Sequence, residues 1–267
     1  MFKKTLGIIG GGQLGSMLAQ SAKKLNIRTI IISDDRNAPA KNFSDEFIYG
    51  KYTNKKIINK FLKKVDVITF EFENIPFKVL NLMNKKVKVL PKPLINKIIQ
   101  NRYLEKNFVN ALKIQTTKFE YIKSKKDIYK SLNLLPGILK TCTLGYDGKG
   151  QIIINSAKQI EKIKFDLNKE YILEKKINIK KEISVIITRF ALKKYEIYEP
   201  IENIHKDQIL KYSKVPSNVN SNIKRKSTLY AKLISEKLNY IGTLCVEYFV
   251  DINDNLYVNE IAPRVHN

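Results

Sequence analysis

Two groups of residues in this chain have the types and spacing to do chemistry. The first lies in residues 136–151, where a short apolar run ends in Lys140 and opens into a loop carrying Gly145, Gly148 and Gly150. A strand-like run, 151–154, follows. A glycine-rich hairpin tip lets main-chain N–H groups approach an anion closely, and Lys140 and Lys149 add positive charge on either side. Its natural guest is a polyphosphate; the bland alternative is an ordinary turn, since Asp-Gly and Gly-Lys-Gly are common turn sequences. The second group is Glu247 and Glu260. Residues 241–250 and 256–261 read as strands around the turn Asp251-Ile252-Asn253-Asp254-Asn255. With the turn centred between Asn253 and Asp254, Glu247 faces Glu260, their Cβ atoms about 5 Å apart. Opposed like charges are destabilising unless a cation bridges them. Magnesium suits the pair, because it takes a few carboxylate oxygens and completes its shell with water and phosphate, and Asn259 adds one more oxygen. A solvated hairpin in a shifted register is the alternative.

The elements that must carry these groups fall into two parts. Residues 5–9 read as a buried strand, followed by Gly10-Gly11-Gly12-Gln13-Leu14-Gly15 and a helical pattern through Met17, Leu18, Ala22 and Leu25. Strand, glycine turn and helix, with Asp34 and Asp35 about twenty residues on, fit a dinucleotide site. They fit equally a structural turn that touches a different anion. A helix over 54–62 and a strand over 66–70 lead to Glu71-Phe72-Glu73-Asn74, where Glu71 and Glu73 share a side if the strand continues. A helix from Pro76 and a strand at 87–90 complete a small doubly wound domain, residues 1–95. Helical sequence then covers 94–112, with Arg102 in it. A flap of small α/β elements spans 113–177, including a helix at 156–163 capped by Ser156. Paired strands at 182–190 and 195–198, a polar loop Glu202-Asn203-Ile204-His205 and a long helix over 226–238 precede the carboxylate hairpin.

Composition narrows the partners. The net charge is +24, yet only six of the 49 basic residues are arginine and the lysines are spread through every segment. Base and phosphate readers concentrate charge in a stripe and favour the arginine fork. The charge reads as lysine on solvent faces, so neither nucleic acid nor a membrane is the expected partner. The longest apolar runs fall short of the ~18 residues that span a bilayer. Two cysteines form no CxxC pair and suit a reducing, cytoplasmic setting, and two histidines make a histidine metal cluster implausible.

Neither a Walker A sequence nor a kinase signature is present. The ordered motifs at residues 10–14 (GGGQL), 69–74 (TFEFEN), 145–151 (GYDGKGQ), 202–205 and 259–267 (NEIAPRVHN) resemble the ATP-grasp superfamily and, within it, the N5-carboxyaminoimidazole ribonucleotide synthase family of purine biosynthesis. The resemblance covers essentially the whole chain. It implies an α/β protein: a Rossmann-like, doubly wound pre-ATP-grasp domain over 1–95, then a two-part α+β ATP-grasp domain over 96–267 with a glycine-rich flap.

The activity implied is ATP-dependent carboxylation of 5-aminoimidazole ribonucleotide by bicarbonate through carboxyphosphate, with ATP and Mg2+ as cofactors, in a cytoplasmic homodimer. By motif, Arg102, Lys140 and the loop Gly145, Tyr146, Asp147, Gly148, Lys149, Gly150 and Gln151 would hold ATP phosphates. Glu174, Lys175, Lys176 and Ile177 would form the adenine hinge, with Glu182 on the ribose and His205 near the nucleotide. Glu247 and Glu260, with Asn259, would hold magnesium. Gln13, Leu14, Glu73, Asn74, Tyr146 and Asp147 would face the acceptor nucleotide, and Arg264, His266 and Asn267 would surround bicarbonate or carboxyphosphate. Departures stand at Cys142 and Thr143, where many relatives are basic, and at Ser16, where they carry arginine. The family pattern continues past position 267 with a small β-rich domain, so the chain reads as C-terminally truncated. Two other functions stay open: a formate-using glycinamide ribonucleotide transformylase, and an NAD-dependent oxidoreductase built on Gly10 to Gly15.

Overall fold

The computed structural model describes residues 4–144, 150–166, 168–206 and 209–266. Its N-terminal part alternates strand and helix: β1 (Thr5–Ile9), α1 (Gln13–Lys24), β2 (Arg28–Ser33), β3 (Glu46–Tyr49), α2 (Lys55–Leu62), β4 (Val67–Phe70), α3 (Phe77–Asn84) and β5 (Lys88–Val89). The strands pair in parallel in the order β3-β2-β1-β4-β5, with Ile9 of β1 opposite Ile32 on one side and Phe70 on the other. Parallel sheets of this kind are covered on both faces, which is why β1 and β2 are near-continuous apolar runs. One face packs Ile30, Ile32, Phe61, Ile68 and Leu80; the other packs Ile8 and Ile31 against Ala19 of α1. β4 ends at Phe70, so strand alternation does not extend to Glu71 and Glu73, and the condition on which they would share a side is not met.

The single helix expected over 94–112 is two: α4 (Pro93–Ile99) and α5 (Arg102–Ala111). The break falls at Asn101, whose side chain accepts the Tyr103 and Leu104 N–H groups and so caps α5. A four-stranded sheet of order β6-β9-β7-β8 follows, built from β6 (Phe119–Ile122), β7 (Gly137–Thr141), β8 (Gln151–Ile154) and β9 (Tyr171–Lys175), with α6 (Lys125–Lys130) packed on it. The helix expected at 156–163 is a 3-10 helix, Ala157–Lys162, and Ser156 makes no side-chain capping bond.

The third sheet has six strands: β10 (Ile179–Ala191), β11 (Lys194–Ile197), β12 (Ile201–Lys206), β13 (Ile209–Lys214), β14 (Gly242–Asp251) and β15 (Leu256–Ala262). The order is β13-β12-β10-β14-β15, with β11 paired to β10, and all pairs are antiparallel. Residues 202–205 therefore lie in a strand, not a polar loop; Asn203 and His205 alternate with Glu202 and Ile204 along β12. α7 (Ser221–Lys237), capped by Asn220, covers the sheet with α4 and α5, burying Val185, Ile187, Ala231, Ile234, Val246 and Tyr248.

Candidate active site

The glycine turn shows how the sequence and the structure diverge. Gly12 N–H donates to Glu71 Oε1, and Gly15 N–H donates to Glu71 Oε2 at 2.5 Å. Glu71 is buried, and a Cβ built on Gly10 or Gly12 would meet its side chain at 2.5 or 3.0 Å. The anion that the turn accommodates is thus a carboxylate of the same chain. A pyrophosphate would have to occupy the space of Glu71, so the dinucleotide reading of residues 10–15 fails. Gln13, exposed, and Leu14, half-buried, open α1 just beside this contact. Ser16 is buried with its hydroxyl on Gly12 O.

In the second domain, α5 carries Arg102, Glu105 and Lys106 at helical spacings of three and four. Arg102 Nη1 donates to Thr141 O at 3.0 Å. Lys106, Lys140 of β7 and Glu174 of β9 form a buried cluster: Lys140 Nζ lies 3.1 Å from Glu174 Oε1, and Lys106 Nζ lies 3.2 Å from Glu174 Oε2. Thr117 Oγ1 donates to the same Oε2 at 2.7 Å. Burial alone would raise the Glu174 carboxyl, but the two ammonium groups outweigh it and hold it at about 2. Burial pushes the Lys106 ammonium below its ordinary value. Of the expected adenine hinge, Glu174 is turned into this cluster. Lys175 and Lys176 give their N–H groups to Lys118 O and Pro136 O. Lys175 and Ile177 border a cavity of about 580 Å3 with Asn110, Thr117 and Tyr257, whose lining contains no carboxylate. Gln151 pairs with Lys140 across β7 and β8. Gly145, Tyr146, Asp147, Gly148 and Lys149 lie outside the described residues, as does Asn267.

The carboxylate hairpin has the expected pair by a different route. Glu247 is opposite Glu260, but nearer the turn the register is shifted, with Tyr248 opposite Val258 and Val250 opposite Leu256. A turn centred between Asn253 and Asp254 is therefore wrong by half a step, and a bulge at Asn259 restores the Glu247–Glu260 pairing. Bulges re-aim side chains, which lets the neighbours Asn259 and Glu260 serve one face. The Glu247 carboxyl is pushed up to about 8, first by burial, then by Glu260 and Glu182. Glu105 is also pushed up to about 8 by burial and by Glu260, although Oε1 accepts the Ile261 N–H at 2.7 Å. Glu182 is raised by burial, with His205 opposing from 3.2 Å. These carboxylates stand in one another's field with too little positive charge among them, which is the electrostatic condition a divalent cation relieves. Among the described residues no three His, Cys, Asp or Glu side chains form a ligating group. Glu247 and Glu260 are two carboxylates opposed on paired strands, and magnesium is a cation that takes few carboxylates and completes its shell with phosphate and water.

Arg264 joins the two halves. Its Nε donates to Glu73 Oε2 at 2.7 Å, and Nη1 donates to Val265 O at 3.0 Å. The Glu73 main chain is held too: its carbonyl accepts from Asn96 Nδ2 at 2.9 Å and from Gln100 Nε2. His266 Nε2 lies 3.4 Å from Glu247 Oε1, and burial holds the imidazole down at about 4, so at neutral pH the contact is not an ion pair. Cys142 is fully buried and its thiol is pushed up to about 12 by burial, so it behaves as a structural residue.

The structure thus brings Glu73, Glu182, His205, Glu247, Glu260, Arg264 and His266 into one neighbourhood, and Arg102, Lys140 and Glu174 into an adjoining one. Sequence reasoning passed over Glu105, Lys106 and Thr117, and it named Glu71 at the strand end without its partners Gly12 and Gly15. The missed signal was charge on a buried helix face: Glu105 and Lys106 share the inward stripe with Val109.

Comparison with known proteins agrees with this geometry. Residues 107–267 match the ATP-grasp domain family, and residues 3–100 match the ribonucleotide synthetase preATP-grasp domain family. The chain is 38% identical to the N5-carboxyaminoimidazole ribonucleotide synthase of Staphylococcus aureus strain COL, over all of this chain and 71% of that protein. It is 35% identical to that of Bacillus subtilis strain 168, over 98% of this chain and 70% of the relative. Among solved structures, the S. aureus synthetase complexed with ADP superposes with a TM-score of 0.90 at 38% identity, covering 100% of this chain and 72% of the other. The Aspergillus clavatus enzyme in complex with ADP and 5-aminoimidazole ribonucleotide superposes with a TM-score of 0.89 at 27% identity, covering 99% and 70%. With two domain families in order and matches that run along nearly all of this chain, the chain belongs to the N5-carboxyaminoimidazole ribonucleotide synthase family of ATP-grasp enzymes.

Proposed function

We propose that this protein is an ATP-dependent carbon–nitrogen ligase that carboxylates 5-aminoimidazole ribonucleotide, producing N5-carboxyaminoimidazole ribonucleotide, ADP and phosphate. Bicarbonate is the carboxyl source: its oxygen attacks the γ-phosphorus, ADP departs, and the carboxyphosphate formed passes its carboxyl group to the 5-amino nitrogen as phosphate leaves. Phosphoryl transfer of this kind needs positioning and charge neutralisation more than a covalent nucleophile. Arg102, Lys140 and residues 145–151 hold the ATP phosphates, while Glu182 and His205 hold the sugar end. Glu247 and Glu260, with Asn259, would hold Mg2+, which would supply neutralisation of phosphate charge. Lys106 and Thr117 keep Glu174, and through it Lys140, in place.

The observation that carries the reading is the Arg264–Glu73 bridge. It sets the segment assigned to bicarbonate against the segment assigned to the acceptor nucleotide, as a reaction joining the two requires. Gln13, Leu14, Asn74, Tyr146 and Asp147 complete the acceptor side, with His266 and Asn267 beside Arg264. A cytoplasmic homodimer is the proposed setting; no helix among the described residues is long and apolar enough to cross a membrane.

The test is ADP and phosphate release measured with each substrate omitted in turn. Release that requires both 5-aminoimidazole ribonucleotide and bicarbonate supports the assignment, and release indifferent to either overturns it. Substituting formate and glycinamide ribonucleotide in the same assay separates this activity from the transformylase alternative.

A further inference from the structure

We propose that Glu71 is the positioning residue of the acceptor half of the site: its carboxylate fixes the turn of residues 10–15 so that Gln13 and Leu14 are presented to the nucleotide. This rests on the reading of Gln13 and Leu14 as acceptor contacts. Glu71 itself reaches no substrate. It is buried, and both of its oxygens are taken by main-chain N–H groups, Gly12 on Oε1 and Gly15 on Oε2.

Three features make the contact a positioning device. First, α1 has no capping side chain of its own: Gly12 stands at the N-cap, and the carboxylate arrives from 59 residues away at the end of β4. The unsatisfied N–H groups and the positive end of a twelve-residue helix are thereby met by a long-range partner. Second, the glycines are shaped to it. Gly10 has φ +102°, and a Cβ there would meet Glu71 Cγ at 2.5 Å; a Cβ on Gly12 or Gly15 would meet a carboxylate oxygen at 3.0 Å. The turn is therefore closed around a side chain, and a substrate phosphate must be held elsewhere. Third, the same segment carries Glu73, bonded to Arg264, and its carbonyls at Glu73 and Ile75 are held by Asn96 of α4 and by Gln100 at its C-cap. Glu71 thus ties the Gln13–Leu14 turn to a segment that is fixed from three directions.

The experiment is calorimetric titration of the 267-residue chain with 5-aminoimidazole ribonucleotide and, separately, with MgATP, for wild type, E71A and E71Q. Alanine leaves the Gly12 and Gly15 N–H groups facing a vacated space the size of acetate. Glutamine keeps the shape but turns one acceptor into a donor, so it reads the same contact if E71A does not fold. Losing charge-assisted hydrogen bonds that hold a binding turn is expected to raise the Kd for the acceptor about tenfold or more. The Kd for MgATP should stay within about twofold, because its groups lie on other elements. Sodium acetate, against sodium chloride at equal ionic strength, should restore acceptor affinity in E71A and leave wild type unmoved. Unchanged acceptor affinity, parallel loss for both ligands, or a selective loss in E71A that acetate does not reduce would each overturn the proposal. Absence of acceptor binding by wild type would instead sink the functional reading beneath it.

Discussion

The glycine turn at residues 10–15 and the carboxylate hairpin at Glu247 and Glu260 both look like ligand sites in the sequence, and they differ in what meets their charge. The turn is complete without a ligand: Glu71 satisfies Gly12 and Gly15 and fills the space a phosphate would need. The hairpin is incomplete: Glu247 is pushed up to about 8 by burial and by Glu260, and the nearest histidine, His266, is held neutral by its own burial. A motif whose charges are answered from within the chain is scaffold. One whose charges are left in excess is a place for something else. The Lys106–Glu174–Lys140 cluster belongs with the turn, since each oxygen of Glu174 has its own ammonium partner.

The largest effect follows from that last assignment. In E174Q two buried lysines lose the counter-charge they share, and removing one partner of a buried pair costs about 3–5 kcal/mol. Urea denaturation of E174Q should show a loss of that order, with T117A losing much less because it removes a neutral donor. An E174Q protein as stable as wild type would mean the cluster is open to solvent and ligands, and would move it to the incomplete class.

How far the sequence foretold this division depends on range. The parallel sheet, the α1 turn and the β10–β11 and β14–β15 pairings were legible because apolar alternation and glycine position are local signals. The Glu247–Glu260 pairing came out despite a misplaced turn centre, because the bulge at Asn259 cancelled the error; nothing in the local pattern announces a bulge. The polar run around His205 reads as a loop, whereas the pairing of β12 with β10 and β13 is a tertiary fact. Glu71 could not be placed, since its partners lie 59 and 56 residues away. Lys106 was the recoverable omission, a charge on a helix stripe that should have been apolar.

The hairpin gives the second effect, in two readouts of opposite sign. In E247Q, ADP release in the full reaction should fall at least about a hundredfold, the scale on which single charge-stabilising groups act in phosphoryl and acyl transfer. The magnesium-free protein should be no less stable than wild type, because the substitution relieves repulsion with Glu260 and Glu182. The pH dependence follows from the same shifts. Glu105 and Glu247 move from an ordinary 4.5 to about 8, so between these values the folded chain holds protons that the unfolded chain has released. Stability without magnesium therefore falls as pH rises toward 8. His266, lowered from 6.5 to about 4, acts oppositely and only below 6.5. Thermal melts between pH 6.5 and 8 isolate the carboxylates: the melting temperature should decline, and less steeply in E247Q. A flat profile would place the hairpin with the satisfied motifs.

The Arg264–Glu73 bridge should give the smallest effect on stability, and that makes it the finest test of the distinction. Its side chains are 19% and 31% exposed, in the range where a single ion pair contributes about 1 kcal/mol or less. The loop does not depend on it, because Asn96 of α4 and Gln100 at its C-cap hold the Glu73 carbonyl. In E73Q the unfolding free energy should therefore fall by less than that amount, while affinity for 5-aminoimidazole ribonucleotide falls, since the removed charge is one the ligand is proposed to meet. Glu71 and Glu73 stand two positions apart on one segment. A stability loss of several kcal/mol in E73Q would place both among the chain's own fastenings; a loss confined to acceptor affinity would make neighbouring carboxylates of one motif, one fastening and one site.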